Sequence, residues 1–185
     1  MKRHMRFGLK TVALTSCVLM CAAFASAQSN QSVYTSLSTK ACRTIRSTTK
    51  EGGSYVGVCG GVAGYRLQIE EGDLRQNIQV VSPNGRKHSL EMWNIVGSGF
   101  SLLGQKAEWR IKHQNGKTVP VALILRYNVA DSDDSSKSTS YLAIAKITPP
   151  KTCITDKIAP RPDANVAARV AADNSGTKAC LDSSP

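Results

Sequence analysis

The chain has 185 residues, 24 of them Lys or Arg against 13 Asp or Glu, a formal charge of +11, with 41% hydrophobic and 5% aromatic residues. That apolar content, with only seven prolines, excludes disordered and collagen-like classes, and the length suits one domain with a short appendage. No apolar run reaches the roughly 18 residues that a membrane-spanning helix of the mature protein needs.

The amino terminus reads as an address. Lys2, Arg3, Arg6 and Lys10 form a basic start, residues 11–24 an apolar stretch, and Ala25-Ser26-Ala27 supply the small residues a signal peptidase requires. A secretory signal peptide over residues 1–27 is therefore expected, followed by export to the periplasm or beyond. Leu14-Thr15-Ser16-Cys17 resembles a bacterial lipobox, but cutting there would leave half of the apolar run on the mature chain. Cleavage after Ala27 uses the whole run and is favoured. It removes four of the basic residues and no acid, leaving 158 residues with 20 basic against 13 acidic side chains, a charge of +7. A charge of that size attracts anionic polymers or proteins. No Arg-rich tract, zinc-finger spacing or aromatic-basic repeat points to nucleic acid.

Residues 28–40 are polar and read as an extended lead-in. A β domain is expected over 41–150. Tyr65, Leu67 and Ile69 alternate with Arg66, Gln68 and Glu70, and Leu74, Ile78 and Val80 continue the pattern beyond a tight turn at Glu71-Gly72-Asp73. Period two with one polar face is the signature of antiparallel strands covering a core on one side. Pro83-Asn84-Gly85 ends the second strand. Residues 86–105 are poorly patterned: Met92, Trp93, Ile95 and Val96 could form a short strand, and Gly97, Gly99 and Gly104 point to loops. Ala107, Trp109 and Ile111 alternate again, and Asn115-Gly116 joins them to residues 119–129 as a hairpin, because both turn positions tolerate positive φ. Val119, Val121, Leu123, Leu125, Tyr127 and Val129 are expected on one face. Ala122 and Ile124 on the other imply burial on both sides, and Pro120 implies an edge or bulge. Residues 130–138 form a polar tip, residues 141–147 a returning strand, and Pro149-Pro150 stops it. Residues 151–185 read as a helical segment clamped to the sheet. Pro162 and Asp163 suit a helix start, and Val166, Ala167, Val170 and Ala171 form an apolar stripe at helical spacing.

Four cysteines remain in the mature chain: Cys42, Cys59, Cys153 and Cys180. An even number in an exported protein reads as two disulfides with three possible connectivities. Cys42–Cys59 and Cys153–Cys180 is preferred, since each pair lies near a chain end and closes a short loop. The sequence thus predicts a mainly β fold, an antiparallel sandwich or partly open barrel with one C-terminal α-helix, stabilised by disulfides.

Signals for chemistry are sparse. His88 and His113 lie beside turns, Gly97-Ser98-Gly99 lacks the spacing of a nucleophile elbow, and no catalytic residue, cofactor motif or metal set is read. Asp131, Asp133 and Asp134 lack the spacing of a calcium loop. Glu70, Glu71 and Asp73 crowd one turn, and paired carboxylates can hydrolyse glycosides. The glycines around Cys59 do not form a phosphate loop. Arg86, Lys87 and His88 at a hairpin tip are the best basic patch and the candidate partner-binding residues.

The segments Gly53-Ser54-Tyr55, Cys59-Gly60, Gly64-Tyr65 and Glu71-Gly72-Asp73-Leu74-Arg75, followed by Glu108-Trp109-Arg110, Ala122-Leu123-Ile124-Leu125-Arg126 and Pro162-Asp163-Ala164-Asn165, resemble those of a group of small exported proteins of Gram-negative bacteria. The resemblance covers most of the mature chain and implies a compartment and a cysteine framework, not an activity. Periplasmic lysozyme inhibitors are also small, exported and β-rich, an analogy of architecture alone. The expected function is a non-enzymatic binding or inhibitor-like protein of the cell envelope, meeting an envelope protein or anionic polymer. The alternatives are an envelope hydrolase using the carboxylates of residues 70–73, or a barrel carrying a small apolar ligand.

Overall fold

The computed structural model describes residues 30–50 and 52–182; the expected signal peptide and the lipobox lie outside them. Ten strands follow in chain order: β1 (Gln31–Ser36), β2 (Arg43–Thr48), β3 (Ser54–Gly60), β4 (Arg66–Gly72), β5 (Arg75–Val81), β6 (Lys87–Ser89), β7 (Ser101–Gln114), β8 (Lys117–Ala130), β9 (Ser138–Ile147) and β10 (Thr152–Ile158). A single helical turn, α1 (Met92–Ile95), precedes β7, and one longer helix, α2 (Ala164–Asp173), follows β10. Among the described residues no helix is long and apolar enough to cross a membrane.

The strands form one sheet in the order β10-β9-β8-β7-β5-β4-β3-β2, with β1 added to β7 and β6 to β5. The sheet does not close. Every pairing is antiparallel except that of β5 with β7, a single parallel bridge between Arg75 and Ser101. The sheet is thus two leaves, β2–β6 and β1 with β7–β10, folded face to face over a common core. Leu67, Ile69, Ile78 and Val80 come from one leaf, and Trp109, Leu123, Leu125, Tyr127, Ala143 and Ala145 from the other. At the join Tyr127 donates its hydroxyl hydrogen to Gln76 O at 2.7 Å, and Ser101 Oγ lies 2.6 Å from the same hydroxyl. Leu103 N donates to Gln76 Oε1 at 2.8 Å. Side chains here satisfy groups that the interrupted ladder leaves over.

Both disulfides connect as preferred, Cys42 to Cys59 and Cys153 to Cys180. Each lies within one leaf. By loop closure alone each stabilises the fold by about 3 kcal/mol. The bonds fit folding in an oxidising compartment.

Several local expectations change. The lead-in contains β1, which pairs with β7 from Gln31 opposite Ile111 to Ser36 opposite Lys106. β2 escapes the pattern because all six of its residues are exposed at a sheet edge, so it has no buried face to impose alternation. Leu74 is not in a strand: with Asp73 it forms the two-residue turn, φ 57° and 52°, and it points to solvent. Met92 to Ile95 form a helical turn rather than a strand. Its first backbone N–H is accepted by Asn77 Oδ1 at 3.1 Å. Gly104 lies inside β7, where a Cβ would come within 2.8 Å of Arg126 Cβ.

β8 is buried on both faces at its middle, as Ala122 and Ile124 implied. Its start carries the bulge that Pro120 implied, and the bulge changes the expected face: a register shift places Ile111 opposite Pro120 while Arg110 stays opposite Ala122. The extra residue flips the side chains before it. Pro120 is therefore buried, and Val119 and Val121 are half-buried outside the core. α2 lies on the outer faces of β8 and β9, with Ala168 and Ala172 against Ala122, Ile124, Leu142 and Ile144. The two valines of the expected stripe are turned away, Val166 60% and Val170 58% exposed, whereas Ala171 of the same stripe packs at the edge of this cluster. Two ion pairs hold this rotation. Arg110 reaches from β7 to Asp173 through two hydrogen bonds of 2.8 Å, and Arg169 Nε donates to Glu108 Oε1 at 2.6 Å. Alanine is the side chain small enough to let the helix approach while those pairs form.

Candidate functional site

Four turns meet at one end of the folded sheet. Val62–Tyr65 joins β3 to β4, Ser82–Arg86 joins β5 to β6, Asn115-Gly116 joins β7 to β8, and Thr148–Lys151 joins β9 to β10. Each is built by local chemistry. Ala63 and Gly64 both take positive φ, 51° and 82°, and Tyr65 N donates to Val62 O at 3.0 Å, a type I′ turn. Gly61 passes over Trp109, where a Cβ would fall 2.8 Å from the indole, so only glycine fits. In the second turn Gly85 N donates to Ser82 O at 2.8 Å and Asn84 Oδ1 accepts from Arg86 N at 3.1 Å. That hairpin presents Arg86 on a rigid support. Thr148 Oγ1 donates to Lys151 O at 2.6 Å and braces the Pro149-Pro150 turn.

These turns and their flanks carry Arg66, Arg86, Lys87, Lys112, Lys117 and Lys151, all exposed, and no Asp or Glu. Among the described residues none of the six forms an ion pair. Two clefts open between them. One, of about 300 Å³, lies between the Ser82–Arg86 hairpin and the Thr148–Lys151 turn, with Tyr65, Arg86 and His88 in its wall. The other, of about 510 Å³, runs past Lys112, Pro120 and Val121 to the end of α2, where Asp173, paired with Arg110, also lines it. Tyr65, Thr148 and Pro149 line both, so the two form one groove with the tyrosine at its middle. The Tyr65 ring leans on Trp109, centroids 6.1 Å apart.

Of the basic patch expected from sequence, Arg86 and His88 share the cleft. Lys87 projects from the opposite face of β6, because successive strand residues alternate. Burial, and then the neighbouring Arg86 charge, holds His88 below the usual imidazole pKa, which favours the neutral ring. Tyr65, Lys112 and Pro149 went unrecognised as site residues. Each is isolated in sequence, and only the folding of the leaves unites them. The one available signal was that turns at alternate strand ends are basic and free of acids.

The other sequence candidates are placed differently. Glu70 accepts from Gln68 and Gln79 at 2.7 and 2.9 Å, whereas Glu71, on the opposite face of β4, accepts from Gln76. Asp73 pairs with Arg75. These carboxylates do not converge on a common point. Asp131 Oδ1 accepts from the backbone N–H groups of Asp133 and Asp134 at 2.9 and 3.2 Å, which organises the polar tip. The space between the leaves is filled by fully buried Trp109, Tyr127, Leu67, Leu123 and Leu125. A cleft of about 470 Å³ at the far end has Arg75, Phe100, Asp131 and Tyr141 in its wall. Its cation is already engaged: Arg75 pairs with Asp73, donates to Ser98 O and lies 5.2 Å above the Phe100 ring. The Tyr65 groove thus has the uncompensated charge.

Comparison with protein-family models, with curated proteins and with solved structures finds no match.

Proposed function

We propose that the protein is an exported, non-enzymatic binding module of the bacterial cell envelope that receives an anionic partner at its basic end. One observation carries this reading: the turns at this end bear six exposed cations and no carboxylate, and two of them, Arg86 and Lys112, stand in a groove with Tyr65 at its middle, whose carboxylate, Asp173, is already paired with Arg110. Coulomb attraction in such a cleft is strengthened by its low-dielectric walls, which also raise the local concentration of anions. The leader-like first 27 residues and the two disulfides support export. The divergent carboxylates of residues 70–73 and the filled interior favour binding over hydrolysis or apolar-ligand transport.

The test is affinity capture from envelope extract with the oxidised protein, run beside Arg86→Glu/Lys87→Glu and, as a far-end control, Lys137→Glu. The double reversal should lose the captured anionic species, and the control should retain them. Identical captures by all three proteins would refute the reading.

A further inference from the structure

We infer that the outer face of the leaf β2–β6 carries a track for an acidic polysaccharide, running from Lys87 across Arg66 to Arg43 and Arg46. The inference rests on the anionic-partner reading and names the ligand class. Strand register places the four cations. Lys87 lies opposite Val81, Val81 opposite Arg66, and Arg66 opposite Gly60, on the face turned away from Leu67 and Val80. Gln79, Gln68, Val58 and Arg43 form the next row of that face, and Glu70, Val56 and Arg46 the row after it. Residues three apart on a regular strand point to opposite faces, but the register shift between Thr44 and Arg46 turns Arg46 to the side of Arg43. All four cations are exposed, and among the described residues none forms an ion pair. The Cys42–Cys59 bond fastens the start of β2, next to Arg43, to β3, so this end of the track is fixed before a ligand arrives.

Neighbouring strands lie about 4.8 Å apart, so cations on alternate strands stand about 10 Å apart. A single small anion does not bridge that distance, whereas a chain bearing anions at intervals does. Each exposed ion pair is weak, so several must act on one chain. The guanidinium forks of Arg66, Arg43 and Arg46 suit carboxylates. The face also selects among such chains. Between Arg66 and the edge strand lies exposed Gly60, with open space where a side chain would stand, so a chain can lie close to the backbone. β4 and β5 are paired along both edges here, and a peptide crossing them finds no free ladder to join. Gln68 gives an N–H to Glu70 at 2.7 Å, and among the described residues its amide oxygen accepts nothing. A sugar hydroxyl beside a bound carboxylate supplies that missing donor. Glu70, the one carboxylate in these rows, is held by Gln68 and Gln79. It stands to one side of the line from Lys87 to Arg43, and its charge keeps an anionic chain on the line through Gly60.

The experiment titrates the oxidised protein with hyaluronan, which carries one carboxylate per two sugars, beside polyglutamate and vesicles of anionic phospholipid. Hyaluronan should bind most tightly of the three. Arg43→Glu/Arg46→Glu should weaken it at least tenfold, Gln68→Leu about threefold, and Lys137→Glu not at all. The arginines are exposed and Gln68 is half-buried. Circular dichroism verifies folding, and Arg43→Gln/Arg46→Gln replaces the reversal if that variant does not fold. No binding of hyaluronan, equal or tighter binding of polyglutamate or vesicles, or an affinity for hyaluronan unmoved by the β2 variants would overturn the inference. If an anionic probe is lost with Arg86→Glu/Lys87→Glu but is indifferent to the β2 and Gln68 variants, this inference fails and the anionic-partner reading stands. If charge reversal at neither place changes the binding of any probe, both fail.

Discussion

Arg110 is buried at the centre of an arrangement that spans three parts of the chain. Its guanidinium binds Asp173 of α2 through two hydrogen bonds, Ser32 Oγ of β1, and Asn30 O at 2.7 Å. Burial alone would raise the Asp173 pKa, but the hydrogen bonds and charge of Arg110, with Asn30, hold it below the usual value. Glu108 is likewise depressed: Arg169 and Ser32 outweigh its own desolvation. A carboxylate whose folded pKa lies below its unfolded one contributes stability that is complete above the unfolded pKa and is lost as pH falls through the folded value. The clamp on α2 is therefore expected to hold at neutral pH and to release below about pH 4. Asp173→Asn should cost about 2 kcal/mol at pH 7, the scale of a charge-assisted hydrogen bond, and should flatten the acid limb of stability. Thermal denaturation from pH 7 to pH 3 measures both effects. An unchanged acid limb in the variant would remove Asp173 from the clamp. None of this was legible in sequence, because the partners of Arg110 lie 63 to 80 positions away.

The elements were read unevenly, and for physical reasons. β4, β5 and β7 declare themselves by the period two of strands that cover the common core, and β8 by its apolar run, which is buried on both faces at its middle. The Asn115-Gly116 hairpin was legible for the same local reason, since both residues take positive φ, 51° and 71°. β2 has no buried face and left no trace. α2 was found, but the two valines of its apolar stripe face away from the sheet. Its larger apolar residues suggested the buried side, yet close approach to the sheet selects alanine. Ala168→Leu should therefore overpack the interface and destabilise by ~1–3 kcal/mol. Val170→Lys should stay within ~0.5 kcal/mol of the parent. Urea denaturation of the two variants decides it, and the opposite ranking would mean the stripe is the packed face.

The whole molecule is two leaves connected through one hydrogen-bonded bridge, and neither disulfide crosses between them. Neither leaf can keep its apolar face dry without the other, because Trp109 and Tyr127 of one lie against Leu67, Ile78 and Val80 of the other in a single cluster. Despite the slender backbone connection, unfolding is expected to be all-or-none. Tryptophan fluorescence and far-ultraviolet circular dichroism should give coincident urea transitions. A separate loss of the fluorescence signal would show that the leaves part first. The candidate site is the feature least visible in sequence at this scale. Arg86 and His88 were singled out from a run of three residues, but their companions Tyr65, Lys112 and Pro149 arrive from other turns of the fold.

Among the described residues, six unpaired cations crowd one tip, whereas at the other Arg75 and Lys137 pair with Asp73 and Asp134 and leave Asp131 and Asp133 without a cation; this difference gives the molecule a lengthwise electric dipole. Approaching a negatively charged surface, it would rotate in the field and arrive groove first, before any atom touches. Orientation would then be settled during diffusion, and added electrolyte would slow capture by blurring that alignment.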